Sequence, residues 1–117
     1  MLSEYEQKRY SRQIMLDEIG LHGQELLSKS KVLVIGTGGL ASPVLYYLAS
    51  AGVGNIEVVD YDTVELSNFN RQIVHTEGYM GKPKIESAIN QIKEFNSGIN
   101  IIGRKVILNS ENAEAFI

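Results

Sequence analysis

There is no cysteine anywhere in the 117 residues. That excludes a disulfide framework, a thiol nucleophile and a cysteine-ligated zinc within this chain, and it fits a cytoplasmic setting. Histidine is almost as scarce. His22 and His75 stand alone in the sequence, so a histidine metal cluster is not expected and no metal ligand is assigned. Long hydrophobic runs are missing too: no stretch approaches the roughly 20 apolar residues of a membrane helix, and the opening MLSEYEQKRY is too polar for a secretory leader. Nor is there an excess of positive charge. Eleven Lys and Arg against 14 Asp and Glu leave a net charge of −3, which argues against nucleic acid or an anionic membrane as partner. Internal repeats, low-complexity tracts and Pro/Gly/Ser linkers do not occur.

What is present suits a packed core. A hydrophobic fraction of 44% with 6 Tyr and 3 Phe is enough for one small domain, whose usual size is about 100–150 residues. Residues 3–16 read as a polar amphipathic helix and residues 24–28 as a short second one, together a helical arm over residues 1–30. Residues 31–36 (KVLVIG) are a continuous apolar run of the kind carried by a strand buried on both faces. A helical stripe follows directly after Gly36-Thr37-Gly38-Gly39-Leu40-Ala41. Val44, Tyr47, Leu48 and Ala51 share one face, Pro43 suits the first turn and Gly52 supplies a C-terminal stop. Residues 56–60 are expected as a second strand, 84–95 as a helix, 99–108 as a third strand weakened by Gly103, and 111–117 as a last helix capped by Asn109 or Ser110. Residues 61–82 show no periodicity, and a polar connection of that length is usually functional or holds short structure of its own. Strand, helix, strand, helix, strand is one mononucleotide-binding half of a doubly wound, Rossmann-like α/β sheet.

A glycine-rich turn between a strand and a helix has a definite physical use. Gly36 and Gly38 let the backbone turn tightly and approach a phosphate with no Cβ in the way, while the helix N-terminus offers free N–H groups. Asp60 ends the next strand, where an acid accepts hydrogen bonds from ribose hydroxyls. Residues 61–84 separate the kinds of nucleotide. A dinucleotide dehydrogenase needs little cationic charge beyond the first turn, whereas Asn68, Asn70, Arg71, Gln72 and Lys84 follow here. A fixed guanidinium and an ammonium suit triphosphate oxygens and charge that develops on them. Half of an NAD-dependent oxidoreductase, and an ATP- or partner-binding module without catalysis, stay open on these residues alone.

Several segments together resemble the ThiF/MoeB group of ubiquitin-activating-enzyme-like adenylyltransferases: RYSRQIML at residues 9–16, Gly20 with Gly23-Gln24, VLVIGTGGLASP, YLASAGVG, DYDTVELSNFNRQ and GKPK. The resemblance runs from about Arg9 to Asn96. It implies binding of ATP with Mg2+, and adenylation of the C-terminal carboxylate of a ubiquitin-like sulfur-carrier protein of the thiamine or molybdopterin type. It implies that Gly36, Gly38 and Gly39 lie against the nucleotide, that Asp60 holds the ribose, and that Asn68, Asn70, Arg71, Gln72 and Lys84 surround the phosphates. Arg71 and Lys84 would carry the chemistry, joined by Arg12, which matches an arginine that crosses to the partner's site in family homodimers. Ala41 departs from the pattern where a third glycine is common, as does Phe69 where leucine is usual and Ser97 where proline is typical. The family also has a fourth strand, a magnesium-side aspartate and zinc-binding CxxC pairs, none of which occurs in these residues. Residues 1–117 are therefore expected to be the N-terminal, ATP-binding part of such a domain, inactive alone and prone to self-association.

Overall fold

The computed structural model describes residues 1–117. Three parallel strands form one sheet in the order β1 (Lys31–Ile35), β2 (Asn55–Val59), β3 (Asn100–Arg104). The register pairs Val34 with Val58 and Val58 with Gly103. The crossover helices α4 (Ala41–Ala51) and α5 (Lys84–Phe95) pack on one face of the sheet. Strand residues two apart point to the same face. Val34, Ile56, Val58 and Ile101 accordingly meet Leu45, Ala49, Ala88 and Ile92 from the helices in one buried cluster.

The other face of the sheet is partly polar. Glu57 is only 5% exposed there, flanked by Lys31 Nζ at 3.6 Å and Arg104 Nε at 3.1 Å. A buried carboxylate needs such partners, because desolvation of an unpaired charge is costly. β1 forms one edge of the sheet, and Ile35 at its end is 62% exposed. Val34, by contrast, belongs to the core. No helix is long and apolar enough to cross a membrane.

The expected elements are present with shifted bounds. The helix over 3–16 is broken at Tyr10 into α1 (Glu4–Arg9) and α2 (Ser11–Ile14). α1 starts in a capping box, with Ser3 Oγ accepting from the Glu6 N–H and Glu6 Oε1 from the Ser3 N–H, both at 3.1 Å. The break turns Tyr10 inward, where its hydroxyl accepts from Asn96 Nδ2 at 2.9 Å. The next helix, α3 (Gly20–Lys29), is longer than residues 24–28 because Gly20, with φ +61, lets it begin early. β3 stops at Arg104 rather than 108. Its last ladder bond joins the Arg104 carbonyl to the Asp60 N–H at 3.2 Å, and β2 offers no partner beyond. Gly103 does not weaken the strand so much as admit the helix: a Cβ there would stand 2.8 Å from Ile89 Cδ1. Residues 111–117 hold only a 3₁₀ turn, Ala113–Phe116, preceded by Asn109, whose Oδ1 accepts from the N–H groups of Glu111 and Asn112.

The arm docks at the far end of α4 from the glycine turn. Gln24 is fully buried, and its Nε2 donates to the Ala51 carbonyl at 3.0 Å. Gln13 Nε2 donates to the same carbonyl at 2.6 Å and also bonds Gln24 Oε1. Gly52 ends α4 with φ +88, and a Cβ on it would lie 2.8 Å from the Tyr10 ring.

Candidate functional site

The carboxyl ends of β1 and β2 meet the N-terminus of α4, the place where doubly wound sheets bind ligands. Gly36 turns the chain away from β1 with φ +88 while its N–H still donates to the Val59 carbonyl at 2.7 Å. Thr37 then points inward, fully buried. Both its N–H, at 2.9 Å, and its hydroxyl, at 2.8 Å, donate to Asp60 Oδ2, while Oδ1 accepts from the Asp62 N–H at 3.0 Å. Three donors fix the plane of the half-buried Asp60 carboxylate and leave one lone pair, on Oδ1, for a hydroxyl donor.

Beyond Thr37 the backbone N–H groups of Gly38, Gly39 and Leu40 make no hydrogen bond within the chain. They open the N-terminus of an 11-residue helix, so dipole and free donors add up to a cradle for an anion. The glycines keep it clear. A Cβ on Gly39 would meet Arg71 Cγ at 3.3 Å, so the arginine stem lies directly across the turn. The exposed Arg71 guanidinium donates to the Ser67 carbonyl at 3.0 Å and to Asn70 Oδ1 at 2.9 Å, which holds its head in place. Gln72 is buried with Nε2 beside Gly38, and its Oε1 is a buried side-chain atom with no hydrogen-bond partner.

Residues 61–83 close on themselves. Thr63 and Pro83 form an antiparallel bridge, Val64 exchanges backbone bonds with Lys82 and Gly81 at 2.9 Å, and two 3₁₀ turns, Leu66–Asn68 and Glu77–Tyr79, lie between. Val64 and Val74 anchor this segment in the interior. The bridge places Lys84 at the first position of α5, its Nζ 3.8 Å from Asp62 Oδ2 and its side chain 9% exposed.

The structure thus gathers Gly36, Gly38, Gly39, Asp60, Arg71, Gln72 and Lys84 around one turn. Asn68 and Asn70 sit in the same segment but serve it internally: Asn68 Oδ1 accepts from the Glu65 N–H at 2.8 Å, and Asn70 steadies Arg71. Arg12 is exposed on α2, next to the Gln13 that docks on Ala51, so it does not join the turn of its own chain. Sequence reasoning missed His75. Its ring is buried, with Nδ1 2.8 Å from Ser87 Oγ and Nε2 3.0 Å from the Thr37 carbonyl. Burial pushes its pKa below the usual histidine value, the bonded Thr37 carbonyl pulls it back, nearby Lys84 lowers it further and Asp60 raises it. The available signal is Thr37, a polar side chain set between two glycines.

Residues 10–117 match the ThiF family. The chain belongs to that family. The ThiF chain is 50% identical over 112 residues, 96% of its length, to the adenylyltransferase and sulfurtransferase MOCS3 of Aedes aegypti, and covers 26% of that protein. It therefore spans about a quarter of the length of the curated relatives it matches. Among solved structures, PaaA superimposes with a TM-score of 0.88 at 33% identity, over 97% of this chain and 37% of that one. The tRNA N6-threonylcarbamoyladenosine dehydratase TcdA of E. coli, solved in complex with ATP, superimposes with a TM-score of 0.90 at 25% identity, over 99% of this chain and 47% of that one. The Rossmann-like fold of this ThiF chain is thereby shared with a protein crystallised on a nucleotide.

Proposed function

We propose that this chain binds ATP at the Gly36–Gly39 turn and forms the nucleotide side of a site that adenylates the C-terminal carboxylate of a ubiquitin-like sulfur-carrier protein. The observation that carries the reading is the turn itself: free N–H groups, Asp60 locked by Thr37, and Arg71 laid across Gly39. A ribose hydroxyl donates to the Asp60 carboxylate, and a cavity of about 160 Å³ beside it, lined by Ile35, Val59, Ile107 and Leu108, offers an apolar wall for a purine. The phosphates take the free N–H groups, Arg71 and Lys84. Gln72 Nε2, beside Gly38, adds a further donor at the turn.

A carboxylate oxygen of the carrier attacks the α-phosphorus. The new bond is a mixed carboxylic–phosphoric anhydride, and the bond to the bridging oxygen breaks to release pyrophosphate. The attacking carboxylate is ionised near neutral pH, so no side-chain base is required. Two anions approach and a third departs, which leaves cations and oriented dipoles as the catalytic agents. Magnesium accompanies ATP in the family resemblance, and no group of three or more His, Asp or Glu in these residues forms a metal site of its own.

Isothermal titration tests the nucleotide. ATP should bind more tightly than NAD, and Asp60→Ala should weaken ATP binding by about 1–3 kcal/mol through lost ribose bonds. Equal or tighter NAD binding would sink the reading. Self-association is the second part of the proposal. The free edge of β1 presents unpaired backbone groups, a template for pairing with a second copy, and Arg12, exposed and away from the turn of its own chain, is available to a neighbour's site. Ile35→Lys puts a charge on that edge without touching the core, since Ile35 is 62% exposed. Light scattering should show the variant shifted toward monomer, and an unchanged oligomer would clear the β1 edge of that role.

A further inference from the structure

Four side chains form a directed series behind the glycine turn. Thr37 Oγ1 donates to Asp60 Oδ2 at 2.8 Å, so its proton is committed and only its lone pairs face His75. His75 Nε2 stands 3.0 Å from the Thr37 carbonyl and 3.2 Å from Thr37 Oγ1, two acceptors. Nε2 must therefore carry the proton. Nδ1 is then the acceptor for the Ser87 hydroxyl at 2.8 Å, and Ser87 is fully buried with no other side-chain bond. The order is Ser87 to His75 to Thr37 to Asp60, each donating to the next. The charged groups that face the ring are Lys84 from α5 and Asp60 from the end of β2. Lys84 disfavours the imidazolium, as does burial, and the neutral tautomer is the one the acceptors require.

The geometry points to His75 as a positioning residue for nucleotide binding. By holding the Thr37 carbonyl and hydroxyl, it sets the Thr37 N–H and O–H on Asp60 Oδ2 and turns the remaining lone pair of Oδ1 toward the ribose. Through Ser87 it also ties the turn to α5, three residues from Lys84. The inference rests on the ATP reading above and adds what aligns its ribose contact. His75 touches no ligand in this arrangement; it acts only through Thr37.

The test uses ATP and 2′,3′-dideoxy-ATP, which lacks the ribose hydroxyls that Asp60 accepts from. His75→Leu should weaken ATP about tenfold and leave the dideoxy analogue unchanged, whereas a merely structural loss would weaken both alike. His75→Gln, whose Nε2 again donates toward Thr37, should recover most of the ATP affinity. Nitrogen NMR on the wild-type chain at pH 7 should show a protonated Nε2 and a bare Nδ1, and amide exchange at Thr37 should quicken in His75→Leu while Ile56 and Val58 stay protected. An Nδ1–H tautomer or an imidazolium at pH 7 overturns the proposal. So does a His75→Leu variant that still distinguishes ATP from the dideoxy analogue as the wild type does. A wild-type chain that does not distinguish them removes the ribose reading itself, a separate failure visible before any variant is made.

Discussion

In a full-length protein that carries these residues, replacing Lys84 with methionine is expected to lower carrier-dependent ATP–pyrophosphate exchange by about 10²–10³-fold, the scale of losing one donor to transition-state charge. Two features make the effect large. The side chain is 9% exposed, so its charge acts in a medium far less screening than water. Its position is also fixed twice, by the Lys84 N–H donating to the Asp62 carbonyl at 3.0 Å and by the loose ion pair with the Asp62 carboxylate. Methionine keeps the aliphatic packing and removes only the ammonium. Stability should change little, because Asp62 is 52% exposed and water solvates it once Lys84 is gone. Arg71→Ala should produce a loss of similar size for a different reason: its stem covers Gly39, but its head is exposed and interacts chiefly with neighbours in its own loop. A loss below tenfold in Lys84→Met, with the fold intact by circular dichroism, would remove Lys84 from the reacting site.

Gly52→Ala is expected to be among the most damaging single methyls in the chain. At φ +88 an L-residue is strained by roughly 1–2 kcal/mol. The new Cβ would also stand 2.8 Å from the Tyr10 ring and against the Gln24 amide, in a fully buried junction. Overpacking of that kind costs about 1–3 kcal/mol more. Urea unfolding should show the midpoint falling by an amount that matches the sum. A shift under about 1 kcal/mol would mean that the arm detaches instead of straining, and loss of amide protection confined to residues 4–29 would identify that outcome.

Histidine protonation gives these measurements a pH dependence. His75 has a folded pKa below its unfolded value, so the unfolded chain binds the extra proton first as pH falls. Stability from this group is present above the ordinary histidine pKa of about 6.5 and is lost as the solution is acidified toward the folded value. Comparisons between variants therefore belong near pH 7.5.

The parts of the molecule legible in the sequence are those where one local pattern decides the outcome. The run of Val32 to Ile35, the glycines after it and the stripe on residues 85–95 each have a single good solution, and β1, the turn and α5 stand where those patterns put them. The family resemblance rested on segments that the structure now divides into two groups. GTGG, DYD and NRQ build the nucleotide end, while RYSRQ, Gly23-Gln24 and AGVG meet at the opposite end, where Gln13, Gln24, Tyr10 and Gly52 lock the arm. Gly54 belongs with the second group, since a Cβ there would overlap the Ser28 carbonyl. What was not legible depends on contacts between distant residues. The helix over 3–16 breaks at Tyr10 because Asn96, 86 residues on, captures its hydroxyl. His75 looked solitary for the same reason: its partners, Thr37 and Ser87, lie 38 and 12 residues away. Val106, Ile107 and Leu108 have apolar side chains suited to a strand but no ladder partner, and periodicity cannot report that.

The Lys31–Glu57–Arg104 cluster on the second face of the sheet has a consequence for folding fidelity. Side chains alternate faces along β2, so a slip of one residue would drive Glu57 into the layer occupied by Ile56 and Val58 and bring Val58 out to the basic side chains. The apolar residues alone would tolerate such a slip, because Ile56, Val58 and Val59 are nearly interchangeable in shape and burial. Only the acid makes the misaligned sheet costly. Glu57 thus works as a phase marker: a charge that adds little to the attraction between strands yet permits only one alignment of the three.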